Sequence, residues 1–169
     1  ATRDSWNRNP LPEARTSLGF EASYTAEEFD RIKQGLIPQV MEDKWFVFHE
    51  ESWLYFHRSW TGICIYGVRF QADAAGATVV ESWVSGDSNA YHASPVDYER
   101  ALLTFLIDAL LLGKHEAFPL PSDDEGSALP GLYQHHVVGR AYPEQAFRAE
   151  LRAAPSFWER FRQWMRGDE

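Results

Sequence analysis

Cysteine and positive charge are scarce in this 169-residue chain. It has one cysteine, Cys64, and its 16 Lys and Arg stand against 25 Asp and Glu, for a formal net charge of -9. A single cysteine excludes an internal disulfide and a thiolate-based zinc or iron–sulfur site, so we expect a reducing, cytoplasmic location, no metal and no cofactor. The acidic balance argues against a nucleic-acid partner, because such binding requires a positive face.

Long apolar runs are also missing. The longest candidate, residues 101–112, is interrupted by Thr104 and Asp108 and falls short of the ~18 residues that a membrane span needs. We therefore expect no membrane partner. The length and the 44% apolar content instead suit a single domain over residues 1–169 with a sizeable core.

Aromatic residues are abundant and are concentrated in the middle of the chain. Residues 44–50, 52–58, 62–71 and 77–84 are rich in aromatic and β-branched residues and are separated by short turns. This pattern predicts a four-stranded antiparallel β-meander over residues 44–84. Residues 1–24 are predicted to form an extended N-terminal arm held by Trp6, Leu18 and Phe20, because they show little periodicity.

Helix signals flank the predicted strands. Thr25 and Glu28 have the spacing of a capping box, which predicts a short helix that ends near Leu36. Ser94, followed by a proline and by Asp97 at the third helical position, predicts the start of a helix over residues 95–112. This helix is apolar almost all round, so we expect a central helix packed on one face of the sheet and an α+β fold.

A thin polar stripe follows the predicted central helix. Asp97, Arg100, Thr104 and Asp108 recur at helical spacing along it. One interpretation is a solvent-facing stripe whose members pair with each other. The other is a functional, buried Asp108 with a raised pKa.

The last third of the chain is predicted to add an acidic loop over residues 119–131, a short strand over 133–138 and additional C-terminal helices over 143–166. Within that strand, His135 and His136 are adjacent and therefore point to opposite faces. They are not expected to share a metal ion.

Strand alternation sorts the predicted sheet into two faces. If Glu50 pairs with Trp53 and Arg58 with Ile63, the first face carries mostly aliphatic side chains. The second face is aromatic and carries Phe46, Phe48, Trp53, Tyr55, His57, Cys64, Tyr66 and Val68. A sheet with two apolar faces needs cover on both sides or offers one face to a ligand or partner.

The most distinctive segment is the hairpin between Trp53 and Gly62. Its rings and polar side chains meet at a strand end and turn, and they are the candidate binding residues: Trp53, Tyr55, His57, Arg58, Ser59, Trp60 and Thr61. Here Arg58 is expected to be an exposed turn arginine available to an anion, and Trp60 to be available for stacking. The alternative is a structural hairpin whose polar groups bond local carbonyls. His57 and Ser59 lack an orienting acid, so no catalytic residue is assigned.

The block that runs from Gly35-Leu-Ile-Pro through Met41-Glu-Asp-Lys-Trp-Phe to Trp53-Leu-Tyr-Phe-His-Arg-Ser-Trp-Thr-Gly62 resembles a segment of small bacterial immunity or antitoxin-like proteins. Some of these occur beside polymorphic toxins or ADP-ribose-handling enzymes. The resemblance implies an immunity role or one related to ADP-ribose, and it carries no catalytic residue over to this chain.

Three functions fit these observations. The first is a non-enzymatic immunity or antitoxin protein that binds and neutralises a cognate toxin, with an ADP-ribosyltransferase as one candidate toxin. The second is a small-ligand module for a nucleotide or ADP-ribose that uses His57, Arg58 and Trp60. The third is an enzyme built on the same cluster. The acidic charge favours the first, because it speeds association with a basic toxin.

Overall fold

The computed structural model describes residues 1–114 and 118–119. Six strands, one regular helix and a second helix with a π-helical end follow each other along this part of the chain. They are β1 (Arg15–Ser17), β2 (Ser23–Thr25), α1 (Ala26–Gln34), β3 (Trp45–Glu50), β4 (Trp53–Arg58), β5 (Cys64–Ala72), β6 (Gly76–Ser85) and α2 (Val96–Phe105), which continues as the π-helical segment Leu106–Leu111.

All strands belong to one antiparallel sheet, so the predicted α+β class is confirmed. Strands β3 to β6 lie side by side in chain order, and β1 pairs with the outer edge of β6. Strand β2 pairs with the same edge, next to the β5–β6 turn. Except for Thr25, both short strands come from residues 1–24, which were predicted to be extended, and they form the edge of the sheet next to β6.

The register between β4 and β5 differs from the expected one. Glu50 pairs with Trp53 as expected. However, Phe56 pairs with Tyr66 while His57 pairs with Cys64, which leaves one extra residue on β5. This β-bulge reverses the alternation beyond it. The prediction that Tyr66 and Val68 lie on the aromatic face is therefore wrong: both share a face with Leu54 and Phe56.

The first face of the sheet packs against the helices, and we call it the helix face. The core on this side joins sheet residues such as Val47 and Phe56 to Leu102, Leu103 and Leu106 of the second helix and its π-helical end. The helix begins at Val96 with Pro95 at the N-cap, one residue later than predicted. Burial of these apolar side chains explains why the helix is apolar apart from its thin polar stripe, on which Arg100 forms an ion pair with exposed Asp97.

Helix α1 closes one end of the same face. The predicted capping box is present: the Thr25 hydroxyl accepts from the Glu28 amide, and the Glu28 carboxylate accepts from the Thr25 amide. Gly35 ends the helix with a φ of 65°, and its missing side chain leaves room for the carbonyl of Val47. Leu36 then forms two backbone hydrogen bonds with Val47, which ties the helix end to the edge of β3.

The second face of the sheet, which we call the arm face, carries the side chains of Phe46, Phe48, Tyr55, His57 and Trp83. Residues 1–14, hereafter the arm, lie over this face. Their backbone bonds to the end of the sheet where β5 begins and β6 ends: the Asn9 amide donates to the Gly62 carbonyl, and the Ala14 carbonyl accepts from the Gly86 amide. The two faces are thus covered by different kinds of chain.

Several predictions fall outside the described residues. These are the acidic loop 119–131 apart from Pro119, the strand 133–138 with His135 and His136, and the C-terminal helices 143–166. Within residues 1–114 and 118–119, no helix is long and apolar enough to cross a membrane. The same residues contain no group of three or more side chains suited to a metal ion.

Candidate functional site

The structure divides the seven predicted binding residues among three places. The side chains of Trp53, Tyr55 and His57 belong to the arm face, as alternation along β4 requires. Arg58 lies on the opposite, helix face. Residues Ser59, Trp60 and Thr61 form the turn that follows. The hairpin is therefore not one site, because its residues lie in three different environments.

The arm face carries a stack of rings. Trp53 and Tyr55 are nearly parallel with centroids 6.0 Å apart, and Phe48 stacks on His57 at 5.5 Å. The Trp83 indole lies across Gly67, where a Cβ atom would come within 2.3 Å of the ring. The absence of a side chain at Gly67 therefore lets these rings pack into a continuous layer.

His57 is fully buried in this layer. Its Nδ1 atom donates to the Gly62 carbonyl at 2.9 Å, because a carbonyl can only accept. Ser59 is oriented elsewhere, since its hydroxyl donates to the Asp43 carbonyl at 2.5 Å. These two side chains thus support the local backbone and are not arranged as a nucleophile and its base.

Arg58 is not the exposed turn arginine that was expected. It is partly buried, and its guanidinium lies 4.2 Å from the centroid of the Trp45 ring. Burial lowers the pKa of Arg58, and the neighbouring Tyr91, Tyr66 and Glu99 oppose that shift. The reason is its position in β4: one residue after His57, it must point to the helix face.

A buried polar cluster next to Arg58 was missed by the sequence analysis. The carboxylate of Glu99, which is fully buried on α2, accepts hydrogen bonds from the hydroxyls of Tyr66 and Tyr91 and from the Ser94 amide. Burial is the main reason that the pKa values of both tyrosines are raised. The only available signal was an acid in the first turn of an apolar helix. We interpret the cluster as an anchor that positions α2 on the sheet.

The turn contains the exposed part of the predicted site. Trp60 is 62% exposed, although its Nε1 atom donates to the Met41 carbonyl at 2.7 Å. Lys44 lies 4.4 Å above the Trp60 ring. The Thr61 hydroxyl only accepts a long bond from Ile63 at 3.4 Å. Trp60 is therefore the large apolar side chain of the predicted set that is exposed to a partner.

Trp60 lines a groove at one end of the sheet, and we call this surface the Trp60 groove. It has a volume of about 720 Å³ and is lined by Trp6, Pro38, Gln39, Val40, Met41, Glu42, Asp43, Ser59 and Trp60. Four of its members are large apolar side chains exposed to solvent, and Met41 is 76% exposed. Among the described residues, the other exposed large apolar side chains are Val80 and Val96. The apolar exposure is thus concentrated at this groove.

Local hydrogen bonds fix the shape of the groove. The Asp43 carboxylate accepts from the amides of Gln39 and Val40, and the Asp43 amide donates back to the Val40 carbonyl. On the other wall, Trp6 of the arm donates its Nε1 proton to the Ser59 carbonyl at 2.8 Å. The exposed apolar side chains are therefore held on a preformed frame. Val40 and Met41 were missed because two apolar residues in a polar loop form no periodic pattern.

Comparison with known proteins yields no relative for this chain. No family model, no curated protein and no solved structure matches it.

Proposed function

We propose that this chain is a non-enzymatic protein of the immunity or antitoxin type, which binds and neutralises a cognate protein toxin through the Trp60 groove. An ADP-ribosyltransferase is one candidate toxin, as the resemblance of residues 35–62 implies. The single observation that carries the proposal is the concentration of exposed Trp6, Val40, Met41 and Trp60 on a hydrogen-bonded frame. Contiguous exposed apolar patches mark interaction sites.

The composition of the groove suits a protein partner. Tryptophan and methionine are enriched in protein interfaces, and tryptophan is frequent among the residues that dominate binding energy. The frame also limits the ordering cost of binding, since Met41 and Val40 lie on a loop closed by Asp43. Trp60 is accordingly expected to be the central anchor.

Charge supports a basic partner. The chain carries a formal net charge of -9, and Glu42 and Asp43 line the groove itself. An acidic surface steers a basic protein to its binding site and speeds association, particularly at low salt. A toxin with a positively charged contact surface is therefore the partner that fits best.

The alternative function, binding of a nucleotide or ADP-ribose, lacks one of its expected binding residues. That proposal used Arg58 to bind an anionic group beside Trp60, but Arg58 stacks on Trp45 and does not line the groove. The cation of Lys44 already lies against the Trp60 ring. A protein partner needs no such anion contact.

The proposal is tested with the toxin encoded next to this gene in its genome of origin. Co-expression should relieve the growth arrest caused by that toxin, and titration calorimetry of the purified pair should give a dissociation constant. Trp60→Ala and Met41→Ala should each weaken binding about 30-fold or more, as loss of a central anchor does.

Val80→Ala is the matched control. Val80 is 45% exposed and lies on β6, outside the groove, so its loss should leave affinity unchanged. Full-strength toxin binding by both groove variants would contradict the assigned interface. Saturable binding of ADP-ribose that depends on Trp60, without toxin binding, would favour the alternative function.

A further inference from the structure

We propose that the arm, residues 1–14, is a pH-sensitive strap: it closes over the arm face while His57 is neutral and is released when His57 becomes protonated. Its effect on toxin binding rests on the proposed function, because the arm supplies Trp6 to the Trp60 groove. The release itself is a property of this chain alone. It can therefore be tested without any partner.

The arm is attached at a few identifiable points. Asn9 donates to the Gly62 carbonyl at 2.8 Å, Trp6 donates to the Ser59 carbonyl, and Arg3 forms an ion pair with Glu50. Residues Arg15–Ser17 follow the arm as β1 and remain part of the sheet. An attachment made of separate hydrogen bonds and one exposed ion pair opens more easily than a packed helix.

His57 lies directly under this attachment. The same Gly62 carbonyl accepts from Asn9 of the arm and from Nδ1 of His57. A side chain at Gly62 would come within 3.1 Å of the backbone of Arg8 and Asn9, so the arm packs closely against this turn. The imidazole and the arm therefore share one anchoring point.

The surroundings of His57 suit its neutral form. Its Nε2 atom is buried and has no hydrogen-bond partner among the described residues. Phe46 and Phe48 of β3 contact the ring. A second proton would have to be placed on Nε2, where it would be a buried donor without an acceptor. Protonation thus conflicts with the closed arrangement on geometric grounds.

The charged and titratable groups around His57 also disfavour its protonation. Burial lowers the pKa of His57, and the positive charge of Arg8 on the arm lowers it further. Cys64 of β5 is opposite His57, and burial raises the pKa of its thiol to about 12. Tyr55, the next residue on this face of β4, has a raised pKa for the same reason. Both stay neutral, so neither stabilises an imidazolium.

The sign of the pH effect follows from this shift. A histidine with a lowered pKa in the closed state favours closure at pH values above its ordinary pKa of about 6.5. As the pH falls from there through the lower, closed-state pKa, the proton binds the open state preferentially. Each pH unit in that window multiplies the open-to-closed ratio by up to about tenfold.

The test measures hydrogen exchange of single amides in the purified full chain by NMR. The protection factors of the Asn9 and Gly86 amides, which bond across the arm contact, should fall about five- to tenfold between pH 7.5 and 5.5. The Val79 amide, which donates to the Ala22 carbonyl at 2.9 Å and therefore has no arm residue as its partner, is the internal reference and should not change. Protection at Asn9 that is independent of pH would overturn the proposal.

Two variants identify His57 as the group responsible. His57→Asn retains a donor for the Gly62 carbonyl but does not titrate, so its arm protection should be the same at both pH values. Arg8→Ala should raise the pKa of His57, measured from its imidazole resonances, and reduce the pH dependence, whereas Arg3→Ala should leave that pKa unchanged. His92→Gln, a change at an exposed histidine, should keep the wild-type profile.

The Arg8 variant keeps the test decisive if His57→Asn does not fold, because it is a change on the arm surface. An unshifted or raised pKa of His57 in the wild-type chain would overturn the proposal directly. Toxin binding with a pH-independent arm would refute the strap and leave the proposed function intact. A pH-dependent arm without toxin binding would support the strap and refute the proposed function.

Discussion

The two faces of the sheet reach the same burial by different means. Phe56 on the helix face and Phe46 on the arm face are both inaccessible to solvent. The helix face is covered by α2 and its π-helical end, which contribute a series of buried apolar side chains. The arm face is covered by the irregular arm, which contributes backbone hydrogen bonds, and by Arg15 of β1, whose guanidinium lies 4.6 Å from the centroid of the Trp83 ring.

Because of this difference, the helix face contributes most of the stability of the fold, whereas the arm face is the one that can become accessible to solvent. An apolar helix packed on a sheet contributes mainly through surface removed from water, so its loss would unfold the domain. Lifting the arm would break separate polar contacts and expose part of the aromatic layer to water, while the core on the helix face would stay packed. The helix face thus specifies the fold, while the arm face is the side on which a change of state can occur without unfolding.

The largest effect is expected at the helix face. Leu106 is fully buried between the helix and the sheet, so Leu106→Ala should reduce the free energy of unfolding by about 2–5 kcal/mol through lost burial and a cavity. Urea denaturation followed by fluorescence measures this change. Val96→Ala, at an exposed position of the same helix, is the control and should cost below about 0.5 kcal/mol. Equal losses in the two variants would show that this face is not the main source of stability.

Local signals predicted much of the fold. The aromatic and β-branched segments, the capping box at Thr25 and the apolar helix near residues 95–112 all correspond to described elements. The face assignment failed after Phe56, because the extra residue of the bulge reverses the alternation and has no sequence marker of its own. The pairing of β1 and β2 with β6 was also missed. Three-residue strands are too short to show a period, and their partners are distant in sequence.

The candidate site was predicted only in part. Seven residues between Trp53 and Thr61 were treated as one cluster, but alternation along β4 sends His57 and Arg58 to opposite faces, so sequence proximity does not make a shared site. Trp60 belongs to the exposed groove, whereas its companions Met41 and Val40 come from a loop that carries no motif. Their proximity depends on the Asp43 turn and on the β3–β4 pairing, which are tertiary features.

The second prediction concerns the packing of the arm face. A methyl group at Gly67 would meet the Trp83 ring at 2.3 Å, so Gly67→Ala should displace the indole and cost about 1–3 kcal/mol of unfolding free energy. Gly86→Ala is the matched control, since its methyl group meets Ala14 at 3.3 Å and requires a much smaller adjustment. Thermal or urea unfolding of both variants gives the comparison. A neutral effect at Gly67 would mean that the ring layer is loosely packed.

The third prediction addresses Arg58 and reverses an expectation drawn from the sequence. Arg58→Ala should destabilise the fold by about 1–2 kcal/mol, because its partly buried guanidinium lies over Trp45 on the helix face. Arg69→Ala is the control: Arg69 also lies near a tryptophan, but its side chain is 43% exposed and forms a surface ion pair with Glu81, so it should cost below about 1 kcal/mol. Arg58→Ala should leave toxin affinity unchanged after correction for the folded fraction. Loss of toxin affinity with unchanged stability would instead show that Arg58 is a binding residue, as the sequence predicted.

The smallest effect is expected at Trp60, which lies outside both covered faces. Trp60→Ala should change the free energy of unfolding by less than about 0.5 kcal/mol, because the ring is mostly exposed and its Nε1 bond to the Met41 carbonyl can be replaced by water. Trp60→Phe separates the contribution of the ring from that of the Nε1 hydrogen bond, since it keeps a ring near Lys44 and removes only the donor. Urea unfolding of both variants, together with toxin titration, is the measurement. A stability loss comparable to that of Leu106→Ala would make Trp60 a structural residue, and the apolar groove would then be part of the scaffold and not an interface.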